Sequence, residues 1–418
     1  MRKRHFLFAS ALALLCSSGA LHAQDFKLTS SGYFKNQGVD VMAFDDIYPE
    51  GHQGGVCIIM NGHRVATNGD IRLEATPGQW QPVPKQLDRK LGDNSITATL
   101  CYPDSSRHLT GFNPMIYPDL QLTYTVKVES KGKNIEVTVD LDRPIPQEFI
   151  GKVGFNLEFF PGSLFGKPWI MDGQSGIFPQ QPNSPLMTTQ PNYLHTGNYH
   201  DGKKSLADMD KLIGKGYSPI VADDIISEPY AKGRKFTSRP DDPYNKVTIE
   251  SLSGDLQLFD GRMNHNNGWF VLCSNLKPGV TKGAVKWIIT PNVVADWMYQ
   301  PVIQTSQIGY HPAQDKEAVI EMDIRDNRKE TAQIIRIDAD GEKVVKNVTP
   351  ANWGKFLRYN YLKVDFTDVK EPGLYKIKYD TSVSPIFRID NDVYARGVWQ
   401  PVLEYFLPVQ MCHMRVNE

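Results

Sequence analysis

Residues 120–141 read LQLTYTVKVESKGKNIEVTVDL, and their alternation decides the fold class. Leu120, Leu122, Tyr124, Val126 and Val128 take every second place, with Gln121, Thr123, Thr125, Lys127 and Glu129 between them. After Lys131-Gly132 the pattern resumes as Ile135, Val137, Val139 and Leu141, separated by Glu136, Thr138 and Asp140. A period of two sends one set of side chains to a core and the other towards water, as in a strand. Lys131-Gly132 supplies the turn, so the stretch is a hairpin. Strands of roughly ten residues exceed the usual five or six, which points to a large sandwich.

The same signals extend on both sides. Asn61-Gly62, between Val56–Met60 and His63–Ala66, marks a second hairpin, because both turn residues tolerate positive φ. Further strands are expected at 96–102, 153–160, 247–252, 269–273 and 285–290, with a single short helix at 206–213. Between Pro161 and His200 the alternation fails. Eleven of these forty residues are Pro or Gly, against roughly 12% in average usage. Phe165, Trp169, Phe178, Tyr193 and Tyr199 are interspersed, so the segment reads as an ordered, aromatic-bearing excursion.

A boundary falls at PNVVADWMYQP, residues 291–301. Beyond it, short strands at 318–322, 333–337, 343–346, 361–366, 374–379 and 386–389 follow one another closely, with Asp340-Gly341 as a tight turn. That spacing describes an Ig-like sandwich, and Tyr375 after Pro372-Gly373 is placed for a tyrosine corner. After Asn391-Asp392 the period becomes helical, through Val398, Val402, Phe406 and Val409, with Pro401 and Pro408 interrupting it. The expected domains are a leader at 1–23, a large β-sandwich at 24–300, an Ig-like domain at 301–390 and a helix at 391–418.

The 418 residues carry a formal net charge of −1, so no basic field exists to attract nucleic acid or an anionic membrane. Arg2, Lys3 and Arg4, then an apolar run from Phe6 to Leu15 and the small Ala23, read as a secretory signal. That implies a periplasmic or extracellular protein with no membrane span. Lipidation at Cys16 is the competing reading, although Leu15 precedes it where a small residue is wanted. Cys57, Cys101, Cys273 and Cys412 allow three pairings, or lie unpaired in apolar runs as small hydrophobes. None has metal-like spacing, and no cofactor or metal is expected.

One string carries a resemblance. Gln307-Ile308-Gly309-Tyr310-His311-Pro312, then Asp368 to Tyr375, Phe387-Arg388-Ile389 with Val393-Tyr394, and Tyr405-Phe406 with Gln410-Met411-Cys412 stand in a recognisable order. Residues 303–418 so resemble the Ig-like domain and first barrel helix of family-9 glycoside hydrolases, the cellulase-type endoglucanases. Ser306 and Met411 stand where that family usually has Asn and Arg. The resemblance implies a mainly β fold, with the Ig-like sandwich followed by the start of a truncated (α/α)6 barrel. It also implies an inverting cleavage of β-1,4-glucan in plant polysaccharide degradation, with the catalytic barrel itself missing from this chain. The long strands of residues 25–300 resemble, in architecture alone, the supersandwich of galactose-mutarotase-like proteins.

Inversion needs a carboxylate base and a carboxylic acid about 6.5–9.5 Å apart. The family's Asp-Ala-Gly-Asp motif is absent, and Asn417-Glu418 stands too early to be its acid, so no catalytic residue is assigned for hydrolysis. The adjacent pairs Asp45-Asp46, Asp223-Asp224 and Asp241-Asp242 read as solvated. Two alternatives remain. A mutarotase-like epimerase site needs an imidazole and a carboxylate, and Glu158 with His195 and His200 is the best set available. A glycan-binding or scaffolding module needs exposed rings, for which Trp80, Trp169, Trp269 and Trp353 are candidates. The expected partner is a β-glucan-type polysaccharide or oligosaccharide.

Overall fold

The computed structural model describes residues 25–45, 55–73, 84–102, 120–182, 186–188, 225–263, 268–356, 358–395 and 397–413. The protein is mainly β and divides into two compact units, Met1–Trp297 and Met298–Glu418.

Among the described residues, the first unit holds two nine-stranded antiparallel sheets. One runs, in spatial order, through Lys27–Leu28, Phe34–Asn36, Val39–Ala43, Val56–Met60, His63–Leu73, Val153–Phe159, Phe270–Asn275, Leu256–Asp260 and Ala231–Gly233. The other runs through Gln174–Ile177, Pro168–Met171, Lys235–Ser238, Val247–Ser251, Val285–Pro291, Asn134–Leu141, Leu122–Lys131, Ser95–Tyr102 and Lys85–Leu91. The long hairpin is central to the second sheet. Its Tyr124, Val126, Val128, Ile135, Val137 and Val139 are all buried, as period two demands. Lys131 pairs with Asn134, so the turn residues are Gly132 and Lys133, one place later than the sequence reading put them. Inward side chains of the two sheets meet in one core. Phe155 packs edge-on to Trp287 at 5.0 Å, and Phe159 to Phe236 at 5.8 Å.

Two stretches differ from expectation. The excursion after Pro161 contains a short hairpin, Pro168–Met171 with Gln174–Ile177, turned at Asp172 with a φ of 50°. Its fold is fixed by hydrogen bonds rather than by alternation: the Asp172 carboxylate accepts the backbone N–H of Arg234 at 2.7 Å and of Lys235 at 3.1 Å. The strand expected to stop at Ala66 continues to Leu73, because Asn68 takes a φ of 55° and the register shifts there instead of turning back. Residues 206–213 lie outside the described residues. Cys57 and Cys273 are buried and Cys101 is partly buried.

The second unit packs a four-stranded sheet (Val302–Gln304, Glu317–Asp323, Tyr359–Asp365, Ala351–Phe356) with a five-stranded one. The latter comprises Gly341–Val348, Ala332–Asp338, Gly373–Tyr379, Ser382–Val383 and Phe387–Ile389. Ile320, Ile334, Leu362, Val364, Phe366, Ile377 and Phe387 form its core. The Tyr375 hydroxyl donates to the Glu371 carbonyl at 2.8 Å, the bond of a tyrosine corner.

The string at 307–316 proves to be structural chemistry. Gly309 has a φ of 104°, and a Cβ there would stand 2.3 Å from the Arg388 carbonyl oxygen. Tyr310 packs edge-on to Phe366 and Phe387, and its hydroxyl donates to the Glu317 carbonyl at 2.9 Å. Lys316 is fully buried, with its ammonium 3.0 Å from the Pro312 carbonyl and 2.9 Å from that of Gln314. Burial lowers its pKa from the usual lysine value.

The C-terminal helix spans Gln400–His413 without a break at Pro408. Pro401 falls in the first turn, where a missing N–H costs nothing, so it starts the helix rather than interrupting it. Val402, Leu403, Tyr405 and Phe406 are exposed.

Candidate functional site

The Val153–Phe159 strand divides its side chains by parity. Val153, Phe155, Leu157 and Phe159 enter the core between the sheets, which leaves Asn156 and Glu158 on the opposite face. Across one neighbour, Asn156 pairs with Asp70 and Glu158 with Thr67; across the other they pair with Cys273 and Val271. Val271 and Cys273 join Phe259 in a second, smaller apolar cluster, with Trp269 packed against it. Polar groups and an apolar patch therefore lie side by side on one sheet face.

That face is not wet. Glu158 is 6% exposed and Asn156 2%, and Asp70 on the neighbouring strand is 5% exposed. Desolvation raises the Glu158 pKa, against the pull of Arg72 and a hydrogen bond donated by Asn68 Nδ2. Asp70 is pushed up to about 6, again by burial, although Arg72, the Ile71 N–H and the Tyr124 hydroxyl all favour its charged form. The Tyr124 hydroxyl reaches Asp70 Oδ1 at 2.9 Å from the other sheet. Among the described residues, the buried Thr67 hydroxyl and Asn68 Oδ1 have no hydrogen-bond partner. Asp70 and Glu158 are thus buried carboxyls whose pKa values burial raises, a property that suits a group to acid–base chemistry.

Of the residues singled out in the sequence, Glu158 lies at this site, while His195, His200 and Trp80 are outside the described residues. Trp169 is buried in the core, its ring 6.3 Å from that of Tyr230. Trp269 is partly buried, edge-on to Phe160 at 4.5 Å. Trp353 is exposed in the second unit. Sequence reasoning missed Asn68, Asp70 and Arg72, because Asn68-Gly69-Asp70 has the composition of a turn. Among the described residues there is no group of three or more His, Cys, Asp or Glu that could hold a metal ion. No described helix is long and apolar enough to cross a membrane.

Comparison with known proteins identifies one part of the chain. Residues 298–384 are similar to the cellulase N-terminal Ig-like domain. This match covers the second unit's sandwich except its last strand, Phe387–Ile389, and includes the Gly309-Tyr310 turn. No curated protein sequence matches. The Slr1438 protein of Synechocystis sp. PCC 6803 is a similar solved structure at 10% identity, with a TM-score of 0.29, 70% of this chain covered and 100% of that one. HI1317 is similar at 6% identity and a TM-score of 0.25, with 64% and 98% covered. At such scores the fold of the first unit rests on its own strands.

Proposed function

We propose that this chain is the non-catalytic N-terminal portion of an exported, inverting glycoside hydrolase of the family-9 cellulase type, acting on β-1,4-glucan. The observation that carries the reading is the match of residues 298–384 to a cellulase N-terminal Ig-like domain. The apolar side chains of the last helix support it. Val402, Leu403 and Phe406 are exposed, and Val398 precedes them, so the helix is read as the first of an (α/α)6 barrel that the Ig-like domain braces. The acid and base of hydrolysis would then belong to that barrel. The test is direct. Incubated with soluble β-glucan, this chain should release no reducing ends; sustained release would overturn the reading.

A second reading, interconversion of sugar anomers in the first unit, is favoured by the buried Glu158 carboxylate, its raised pKa and the unpartnered Asn68 Oδ1 beside it. Ring opening needs one group to take a proton and another to give one. Saturation-transfer NMR between glucose anomers measures it. Acceleration by the wild type that falls at least tenfold in Glu158→Gln would support this reading, and equal rates, or no acceleration, would remove it.

A further inference from the structure

We infer that the outer face of the four-stranded sheet in the second unit binds a neutral, hydroxyl-rich polysaccharide chain, with Trp353 as the stacking ring and Glu321 as the hydrogen-bonding centre. The inference rests on reading the chain as a module that works on polysaccharide, and it assigns that work to a surface of the Ig-like domain itself.

Register and parity build the surface. Ile320, Met322, Leu362 and Val364 fill the core, so Glu321, Tyr359 and Tyr361 point the other way. Glu321 stands beside Tyr361, and Tyr359 beside Phe356. On the edge strand the register shifts between Asn352 and Gly354, and Gly354 takes a φ of 122°. Such a bulge re-aims the extra residue. Here the extra residue is Trp353, whose ring lies edge-on to Tyr361 at 5.6 Å and 88°. The row continues from Tyr361 to Tyr359 at 6.1 Å and on to Tyr299 at 5.1 Å. No pair in it is stacked face to face, so the ring faces are not spent on one another. Trp353 is 58% exposed and Phe356 56%.

The polar groups select the ligand. Glu321 accepts the hydroxyl of Tyr299 at 2.9 Å and of Tyr361 at 3.2 Å. Burial and this carboxylate raise both phenol pKa values, so both remain donors. A carboxylate has room for about four hydrogen bonds, which leaves acceptor capacity for ligand hydroxyls. Nearby Lys363 is paired with Glu317 at 2.6 Å, so the surface offers little net charge to an ionic ligand. An apolar protein partner would bury Glu321 with only these two donors and leave its remaining acceptor sites empty, at a cost. A sugar chain lays C–H faces on the rings and supplies the donors. Exposed aromatic patches of this kind mark binding surfaces.

Affinity electrophoresis of the whole chain in β-glucan, xyloglucan and xylan gels tests the inference. The wild type should be retarded in at least one gel. Trp353→Ala should weaken retardation roughly tenfold in apparent Kd, and Glu321→Gln should weaken it less, both with an unchanged thermal midpoint. Equal retardation of wild type and Trp353→Ala would overturn this site while leaving the polysaccharide reading of the chain intact. No retardation in any gel would also overturn it, without touching the reducing-end test above. A wild-type dimer in light scattering that Trp353→Ala dissolves, with no glycan effect, would replace the sugar with a second copy of the chain and so overturn it.

Discussion

The two units treat the outward side of a β-sheet in opposite ways. In the first, the side facing away from the core hides Asn156 and Glu158 almost completely. In the second, the corresponding side displays Trp353 and Phe356 to solvent and holds Glu321 in hydrogen bonds from two phenols. Alternation alone predicts polar outside and apolar inside for both. The departures in each direction are costly, since burial penalises charge and exposure wastes apolar area. A cost retained in a fold is where function is to be sought.

Substitutions can break or sharpen this contrast. The largest effect belongs to the parity argument. Leu157 is fully buried in the core and Glu158 next to it faces away. Leu157→Ala should cost about 3 kcal/mol in urea unfolding, within the usual range for a buried leucine. Glu158→Gln should leave stability unchanged or raise it by about 1 kcal/mol at pH 7, because a buried charge disappears while the Asn68 contact keeps an acceptor. If the two substitutions cost the same, the division of this strand into two faces is wrong.

The next effect is a dependence on pH. Asp70 ionises near 3.8 when unfolded and near 6 when folded, so between those values the folded chain holds the extra proton. Stability from this group therefore falls as pH rises from about 4 to 6, by an amount on the order of 3 kcal/mol. Among the described residues Arg72 and Tyr124 act on it, and Glu158, whose pKa burial also raises, changes stability in the same direction. In Asp70→Asn the decline should be shallower, as read from urea midpoints at pH 4, 5, 6 and 7. An unaltered slope would show that Asp70 is not the buried acid responsible.

The smallest effects are expected on exposed aromatic and apolar side chains. Phe356→Ala and Val402→Asp should each shift stability by less than about 0.5 kcal/mol. A loss above about 2 kcal/mol in Phe356→Ala would mean that the aromatic row is core rather than surface.

The sequence made some of this legible. The hairpin at 120–141 and the corner at Tyr375 were readable because period two and the Pro372-Gly373 turn are local signals. The site around Glu158 was not. Its partners come from a strand that continues through Asn68-Gly69-Asp70, a string whose composition reads as a turn, and only pairing with Val153–Phe159 makes it a bulge. Nor does alternation tell a face in water from one that is covered. The hairpin at 168–177 was hidden for a related reason. Its order comes from the Asp172 carboxylate bonding the backbone of Arg234 and Lys235, some sixty residues away in the chain. The helix passed through Pro408 against the usual rule, so the proline there was a poor guide to its end.

The sheltered ammonium of Lys316 has one more use. Closed off by the Pro312 and Gln314 carbonyls, it is out of reach of acylating reagents for as long as the Ig-like unit stays shut. Its rate of labelling, followed peptide by peptide in a mass spectrometer, is thus a clock for how often that unit opens. No foreign probe has to be attached to read it.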